Sequence, residues 1–331
     1  MIPDPPSKLT VILPNFNDGR YVGRALEAMV SQSYPADEII VIDDGSTDES
    51  LSVLERIASR ERSIRLLRND RNRGVVYSSN RGLELASGEY VYFASSNDRV
   101  LPGFFEKSIR LLRMHPQAAL CCSDFIVYFD SDTLFTRKLH GSMKEGYYSP
   151  SQFSALLRKD GGYIPGASTI VRRSDIIRAG NYAQGLSGHS DWFAYLVLAF
   201  RSGLCYVPEP LVAYRRGLHG SLSSKGRIWP LQRETIRSLL DLLKSPPYRD
   251  VLPLFHSTAS LYFIPSILRA LLEGGSPHRD LLSPLLLRRS AWTELRRLVI
   301  AVMPLWFWRA CCKFRNTPIS PSLLHDDYAL E

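Results

Sequence analysis

Cysteine is scarce in this chain. The five cysteines among 331 residues fall as two adjacent pairs, Cys121–Cys122 and Cys311–Cys312, with Cys205 standing alone. Adjacent pairs supply neither a disulfide framework nor the two-residue gap of a zinc site, so both are excluded and the thiols read as reduced. A long hydrophobic run is also missing. The longest clean stretch, Leu298 to Trp308, contains a proline and falls well short of the roughly 20 residues that span a bilayer. The opening Met-Ile-Pro-Asp-Pro-Pro lacks the basic start, apolar middle and small-residue cleavage site of a secretory signal, so a cytosolic body is expected. With 45% apolar and 22% charged residues, the composition is that of a folded globular protein rather than a disordered one.

Acidic residues are in deficit, and unevenly so. The net charge is +8, and from residue 225 onward 15 Lys and Arg face 9 Asp and Glu. The basic excess therefore belongs to the tail. Nucleic acid is one partner for such a tail, but no zinc spacing, stacking-aromatic signature or basic recognition helix accompanies it, so no nucleic-acid partner is expected. Apolar residues interleave with the charges at Arg296, Arg297, Trp306, Trp308 and Arg309, a pattern that favours an anionic lipid surface.

What is present is a repeating alternation. Leu9–Leu13 is a β-rich run, and Ala25, Leu26, Met29 and Val30 follow at helical spacing. Ile39–Ile42 reads as a buried strand and Ser46-Thr47-Asp48-Glu49 has the form of a capping box, with Leu51, Leu54 and Ile57 as the helical stripe after it. Strands are predicted at Ile64–Leu67, Tyr90–Ala94 and Ala118–Tyr128, with helices over Gly74–Ala86 and Pro102–Met114 between them. This order predicts an α/β fold whose mostly parallel sheet carries helices on both faces. Residues 131–224 lose the rhythm apart from a helix at Asp191–Ser202 and a strand at Cys205–Val207 before Pro208, and beyond Lys225 the pattern is helical and Pro-interrupted.

In open parallel sheets, ligands bind beyond the carboxyl ends of the strands. Three predicted strand ends are polar here: Pro14-Asn15-Phe16-Asn17, Asp43-Asp44-Gly45-Ser46, and Ser95-Ser96-Asn97-Asp98. Carboxylates facing a phosphate-bearing ligand repel it unless a divalent cation bridges them or an Asp accepts from a base or ribose. Both arrangements suit a nucleotide diphosphate.

Those segments, in this order, resemble glycosyltransferase family 2. LTVILPNFN, the Gln32-Ser33-Tyr34-Pro35 turn and EIIVIDDGSTD match the family's opening. NRGVVYSSNRGLELASGEYVYFASSND matches its second block, and SDWFAYLVLAFRSG with YVPEPLVAYRRG its third. The resemblance covers about residues 8–224 and implies a GT-A, Rossmann-like fold with a nucleotide-sugar half at 7–130 and an acceptor half at 131–224; the tail lies outside it, and its pattern predicts a helical C-terminal extension at 225–331. It also implies an inverting enzyme with a UDP-sugar the commonest donor and a saccharide or lipid-linked acceptor; the N-terminal segment and the basic, Trp-bearing tail add the expectation of a cytoplasmic protein peripheral to the membrane. The expected cofactor is Mg2+ or Mn2+.

Position by position, the resemblance implies that Pro14, Phe16, Asn17, Asp43 and Asp44 serve the base and ribose, with Arg73, Asn80 and Asn97 as further donor contacts. Asp98 is the expected metal ligand. Where relatives show Asp-x-Asp-Asp, this chain has Ser95-Ser96-Asn97-Asp98, so only the last carboxylate survives. Asp191 falls at the general-base position, with Ser190 in place of the usual Glu and His189 nearby. Arg215 or Arg216 is placed to counter the leaving diphosphate and His219 to approach the metal, while Gly166 and Ser168 line the acceptor side. A non-catalytic nucleotide-sugar binder is the alternative that the missing motif carboxylates leave open.

Overall fold

The computed structural model describes residues 8–128, 134–137, 143–215, 229–263, 267–273 and 276–302. His219, Arg216, Trp306, Trp308 and Arg309 lie outside them. The expected alternation is present: β1 (Leu9–Asn15), α1 (Gly19–Val30), β2 (Glu38–Asp43), α2 (Ser50–Ala58), β3 (Ile64–Arg68), α3 (Val75–Leu85) and β4 (Tyr90–Phe93). After a short β5 (Arg99–Val100) come α4 (Phe104–Met114), β6 (Leu120–Tyr128), β7 (Leu134–Arg137), β8 (Gly146–Tyr148) and α5 (Pro150–Asp160). Then follow β9 (Thr169–Arg172), α6 (Arg173–Arg178), α7 (Ser190–Ser202) and β10 (Leu204–Arg215). The extension contributes α8 (Trp229–Lys244), α9 (Leu252–Ser257), α10 (Ile267–Leu272) and α11 (Pro284–Val302).

The sheet runs β3-β2-β1-β4-β9-β6-β10-β5, with β7 on β6 and β8 on β10. The first four strands are parallel, as are β6 and β10; β9 enters antiparallel between β4 and β6. The side-chain period of two divides each strand between two cores. Leu9, Val11 and Leu13 join Ile39, Val41, Tyr90 and Tyr92 on the face covered by α1 and α4. Ile12, Ile40, Ile42, Val91 and Phe93 join the other face with α3 and α7. Burial on both sides is what makes these segments near-continuous apolar runs.

The strand expected at Cys205–Val207 is longer than Pro208 had implied. β10 passes Pro208 and Pro210 by shifting register against β6 between Val207 and Pro210 and again before Val212. Proline removes a ladder donor, but a bulge accommodates it, and the strand therefore continues to Arg215.

Helix α7 is buried almost all round, from Trp192 to Phe200, and the extension is what covers its outer side. Phe255 packs against Trp192, Phe193 and Phe200 at ring-centroid distances of 6.0, 5.7 and 5.2 Å. Arg201 is bidentate to Asp250, Tyr248 Oη donates to the Ala179 carbonyl, and Arg289 donates to the carbonyls of Leu157 and Arg158 near the end of α5. One apolar cluster runs from Ile12 in β1 to Leu286 in α11. Apolar residues recur at helical spacing over Ser257–Leu272, but Ala259, at φ +51°, interrupts the helix there, so α9 ends at Ser257, a 3-10 turn spans Ser260–Phe263 and α10 begins at Ile267. No described helix is long and apolar enough to cross a membrane.

Candidate active site

The ends of β1 and β2 are stitched to each other. Asn15 Nδ2 donates to Asp43 Oδ1 at 3.2 Å and to Ser46 Oγ at 3.3 Å, and Ser46 N donates to Asp43 Oδ2 at 3.2 Å. Arg68 Nε stands 3.7 Å from the same carboxylate. Asn17, at φ +53°, donates its N–H to Ser46 Oγ and accepts the Thr47 N–H on Oδ1 at 2.8 Å. Asn tolerates this left-handed backbone better than most residues. Pro14 is half-buried behind it, while Phe16 is left 41% exposed at the rim.

Asp44 is buried and serves a different loop. Its carboxylate accepts from Asn69 Nδ2 at 2.6 Å, from Arg73 N at 3.0 Å and from Gly74 N at 2.8 Å, which fixes the turn leading into α3. The Arg73 guanidinium is bidentate to Asp70, and that ion pair raises its already high pKa. Asn80 bonds the backbone of Tyr182: Nδ2 donates to the Tyr182 carbonyl at 2.8 Å, and Oδ1 accepts the Tyr182 N–H at 3.1 Å.

After β4, Asn97 Oδ1 accepts from Ser95 Oγ at 2.7 Å. Asp98 is buried, and its Oδ1 accepts the Arg215 N–H at 2.8 Å, which joins this turn to the end of β10. Burial raises the Asp98 carboxyl to about 7. The Arg215 guanidinium lies 3.5 Å from the Tyr21 ring centroid, a cation–π contact on α1.

A residue that the sequence had not singled out also faces this turn. Asp18 is the N-cap of α1 yet makes no side-chain cap bond; its carboxylate instead accepts from Ser96 Oγ. Burial raises its pKa, and the charge of Asp48 adds to that. Asp48 holds the start of the helix by accepting the Gly19 N–H at 3.0 Å. An Asp before a helix reads as a cap from sequence alone, and the direction of its side chain is set by tertiary contacts.

Asp191 lies in the first turn of α7. It is half-buried, its Oδ1 accepts the Trp192 N–H at 2.7 Å, and burial raises its carboxyl. A Cβ placed on Gly166 would stand 2.0 Å from Asp191 Oδ2, so any side chain there would displace this carboxylate from its position. Next to Gly166, the Ala167 carbonyl accepts from Tyr92 Oη at 2.8 Å; burial and the nearby charge of Asp98 push the Tyr92 hydroxyl up. Tyr92 thereby connects the Asp98 turn to the floor beneath Asp191. Ser168 Oγ donates to the Ser123 carbonyl at 2.8 Å, a structural bond. His189, half-buried, is pushed down by burial.

Among the described residues no group of three or more His, Cys, Asp or Glu is arranged to hold a metal ion. The donors near Asp98 are all oxygens, from Asp98, Asp18 and Ser96, and this set suits a hard cation that takes one or two carboxylates and completes its shell with water and phosphate. The described cysteines are buried free thiols.

Residues 10–177 match the family described as Glycosyl transferase family 2. The chain belongs to glycosyltransferase family 2. It is 39% identical over 100 residues to the Escherichia coli K12 protein named uncharacterized glycosyltransferase YibD, across 30% of this chain and 29% of that one. The aligned segments span 29% and 48% of the first two curated relatives, so the likeness to them is partial. Among solved structures, Staphylococcus aureus TarS 1–349 in complex with UDP-GlcNAc superposes with a TM-score of 0.62 at 15% identity, covering 83% of this chain and 78% of that one. The mannosyltransferase PcManGT of Pyrobaculum calidifontis, in complex with GDP-Man and Mn2+, gives 0.55 at 18% identity over 87% and 80%. These likenesses establish the GT-A fold.

Proposed function

We propose that this family 2 glycosyltransferase moves a sugar, with inversion, from a nucleotide diphosphate donor to a saccharide or lipid-linked acceptor in surface polysaccharide or glycolipid synthesis. UDP is the favoured nucleotide, in keeping with the UDP-GlcNAc carried by TarS. The observation that carries the reading is Asp191. It is a half-buried carboxylate with a raised pKa, seated over Gly166, where a Cβ would displace it.

In this reading the Asp191 carboxylate accepts the proton of the attacking acceptor hydroxyl as the bond to the anomeric carbon forms, which inverts that carbon. Raised basicity matches the task, because a base works best when its pKa approaches the working pH. Asp43 receives the base or ribose, with Pro14, Phe16 and Asn17 around it, and Arg215 faces the leaving diphosphate. Mg2+ or Mn2+ would be held by Asp98 and would neutralise charge on that diphosphate. The oxygen donor set supports the cation, and the Mn2+ in the PcManGT complex is in keeping with it. Trp292, 67% exposed, and Leu287 stand with Arg288 on the outside of α11, which supports contact with an anionic leaflet from the cytoplasmic side.

The test is a donor panel. Purified protein with Mn2+ or Mg2+ is given UDP-, dTDP- and GDP-sugars, and nucleotide diphosphate release is scored beside Asp98→Ala and Asp191→Ala. Release with one donor, lost in both variants, is the expected result. The Ser95 and Asn97 replacements favour a second reading, a non-catalytic nucleotide-sugar binder; nucleotide binding without turnover across an acceptor panel would select it.

A further inference from the structure

Two halves of the fold meet at a side chain that neither half's chemistry explains. Asn80 lies on α3, the helix packed over β1 so tightly that a Cβ on Gly82 would stand 2.4 Å from Ile12 Cγ2. On the same helix Ser78 Oγ accepts from Asn69 Nδ2, and that amide also donates to Asp44, so α3 is tied to the loop between β2 and α2. From this fixed helix Asn80 reaches across 102 positions of sequence and pairs both amide ends with the backbone of Tyr182. Tyr182 lies at the head of the segment that leads into α7.

That segment has further anchors, on α7, on β4 and within itself. Tyr182 Oη bonds Tyr195 Oη at 2.6 Å, one helical turn beyond Asp191, and its ring packs on Phe93 of β4 at 4.5 Å. Ser190 Oγ donates to the carbonyls of Ala183 and Ser187 at 2.8 and 2.9 Å. Ser187 is held at φ 47°, ψ −124°, a conformation rare for a residue with a Cβ. A loop with such a backbone stays in place only when its surroundings over-determine it, and the Asn80 clamp satisfies both polar groups of Tyr182 at once.

We propose that Asn80 is a positioning residue for Asp191: it fixes the 182–190 segment to the nucleotide-binding half and so sets where the base stands. This deepens the transferase reading and rests on it for the role of Asp191. It also separates Asn80 from the donor contacts, since its amide serves the loop that carries the base. A base misplaced by about 1 Å can lose on the order of a hundredfold in rate, so the effect belongs in turnover and not in donor affinity.

Hydrogen–deuterium exchange tests the clamp without needing the acceptor or the donor. In Asn80→Ala, exchange of peptides covering 181–192 is expected to rise by about tenfold or more relative to wild type, while peptides covering 38–48 keep wild-type rates. UDP affinity by calorimetry should stay within about twofold, and donor turnover should fall by about tenfold or more with an unchanged donor KM. Asn80→Asp keeps an oxygen for the Tyr182 N–H and should recover part of both losses. Unchanged exchange over 181–192, or a collapse of UDP affinity with exchange unaltered, would overturn the proposal and return Asn80 to the donor site. Failure of wild type to bind any nucleotide would instead sink the transferase reading, while the exchange arm would still decide whether the clamp exists.

Discussion

At the ends of β1 and β2 each carboxylate is held by polar partners that adjoining loops bring to it. Asp43 is bonded by Asn15 and Ser46, and Asp44 by Asn69, Arg73 and Gly74. At the start of α7, Asp191 accepts its hydrogen bond from the next residue of its own helix and otherwise is placed by packing, over Gly166 and under the influence of segments far away in sequence. In the first region polar bonds act on the carboxylates themselves; in the second they hold the backbone that carries Asp191, and the carboxylate is placed by packing. A nucleotide pocket that must present fixed donors and acceptors gains from the former. A base that must change protonation state gains from having few partners that favour the charged form.

The largest expected effect falls on the second region. Asp191→Asn, nearly isosteric, should lower turnover by roughly 10²- to 10⁴-fold while leaving UDP affinity near wild type, measured by nucleotide diphosphate release and calorimetry. Gly166→Ala should follow, at roughly a hundredfold in turnover. Its backbone is compatible with alanine but the new methyl takes the space of Asp191 Oδ2, so a melting temperature close to wild type is the control. If Gly166→Ala is fully active, the acceptor side is looser than its packing implies.

Phe255→Ala probes how far the shape-held region depends on the extension. Phe255 is fully buried against Trp192, Phe193 and Phe200, and truncating such a ring removes about 3–5 kcal/mol of stability, readable by denaturant unfolding. A loss under about 1 kcal/mol would mean that the helices from 229 onward lie on α7 without supporting it.

Asp98 gives the effect that shows in the pH dependence of stability. Its folded pKa of about 7 lies above the 3.8 of an ordinary Asp, so the folded protein binds the proton more tightly than the unfolded chain. Without cation, its contribution to stability is therefore fully present below about pH 4 and is lost as pH rises to about 7, at no more than about 1.4 kcal/mol per unit. Asp98→Asn should flatten that slope in melting curves from pH 4.5 to 8. A slope identical to wild type would assign the titration elsewhere.

Legibility in the sequence follows the same division. β1, β2, β4 and the helices up to α4 were readable because these strands are buried on both faces and each helix has a regular stripe, as Ile39–Ile42 and Ala25-Leu26-Met29 show, whereas the two-residue β5 carries no such signal. The strand-end motifs could be read because their residue types and order match the family's blocks, although the bonds they make, such as Asn15 to Asp43 and Asn69 to Asp44, join distant positions of the chain. β10 was underestimated because proline signals a stop, and only the partner strand reveals that a bulge carries it on. The turn of Asp18 toward Ser96, the clamp of Asn80 on Tyr182 and the placing of Phe255 on α7 depend on residues from 78 to 102 positions apart or on facing helices. No local period encodes such contacts.

The most direct measurement is a calorimetric titration of UDP in the presence of Mn2+ against wild type, Asp98→Asn and Asp191→Asn. The account predicts that wild type binds, that Asp191→Asn binds equally well, and that Asp98→Asn binds about tenfold more weakly or worse because the cation loses its carboxylate. Absence of UDP binding to wild type, or an Asp98→Asn isotherm identical to wild type together with a weakened Asp191→Asn, would contradict the division of labour between the two ends of the site.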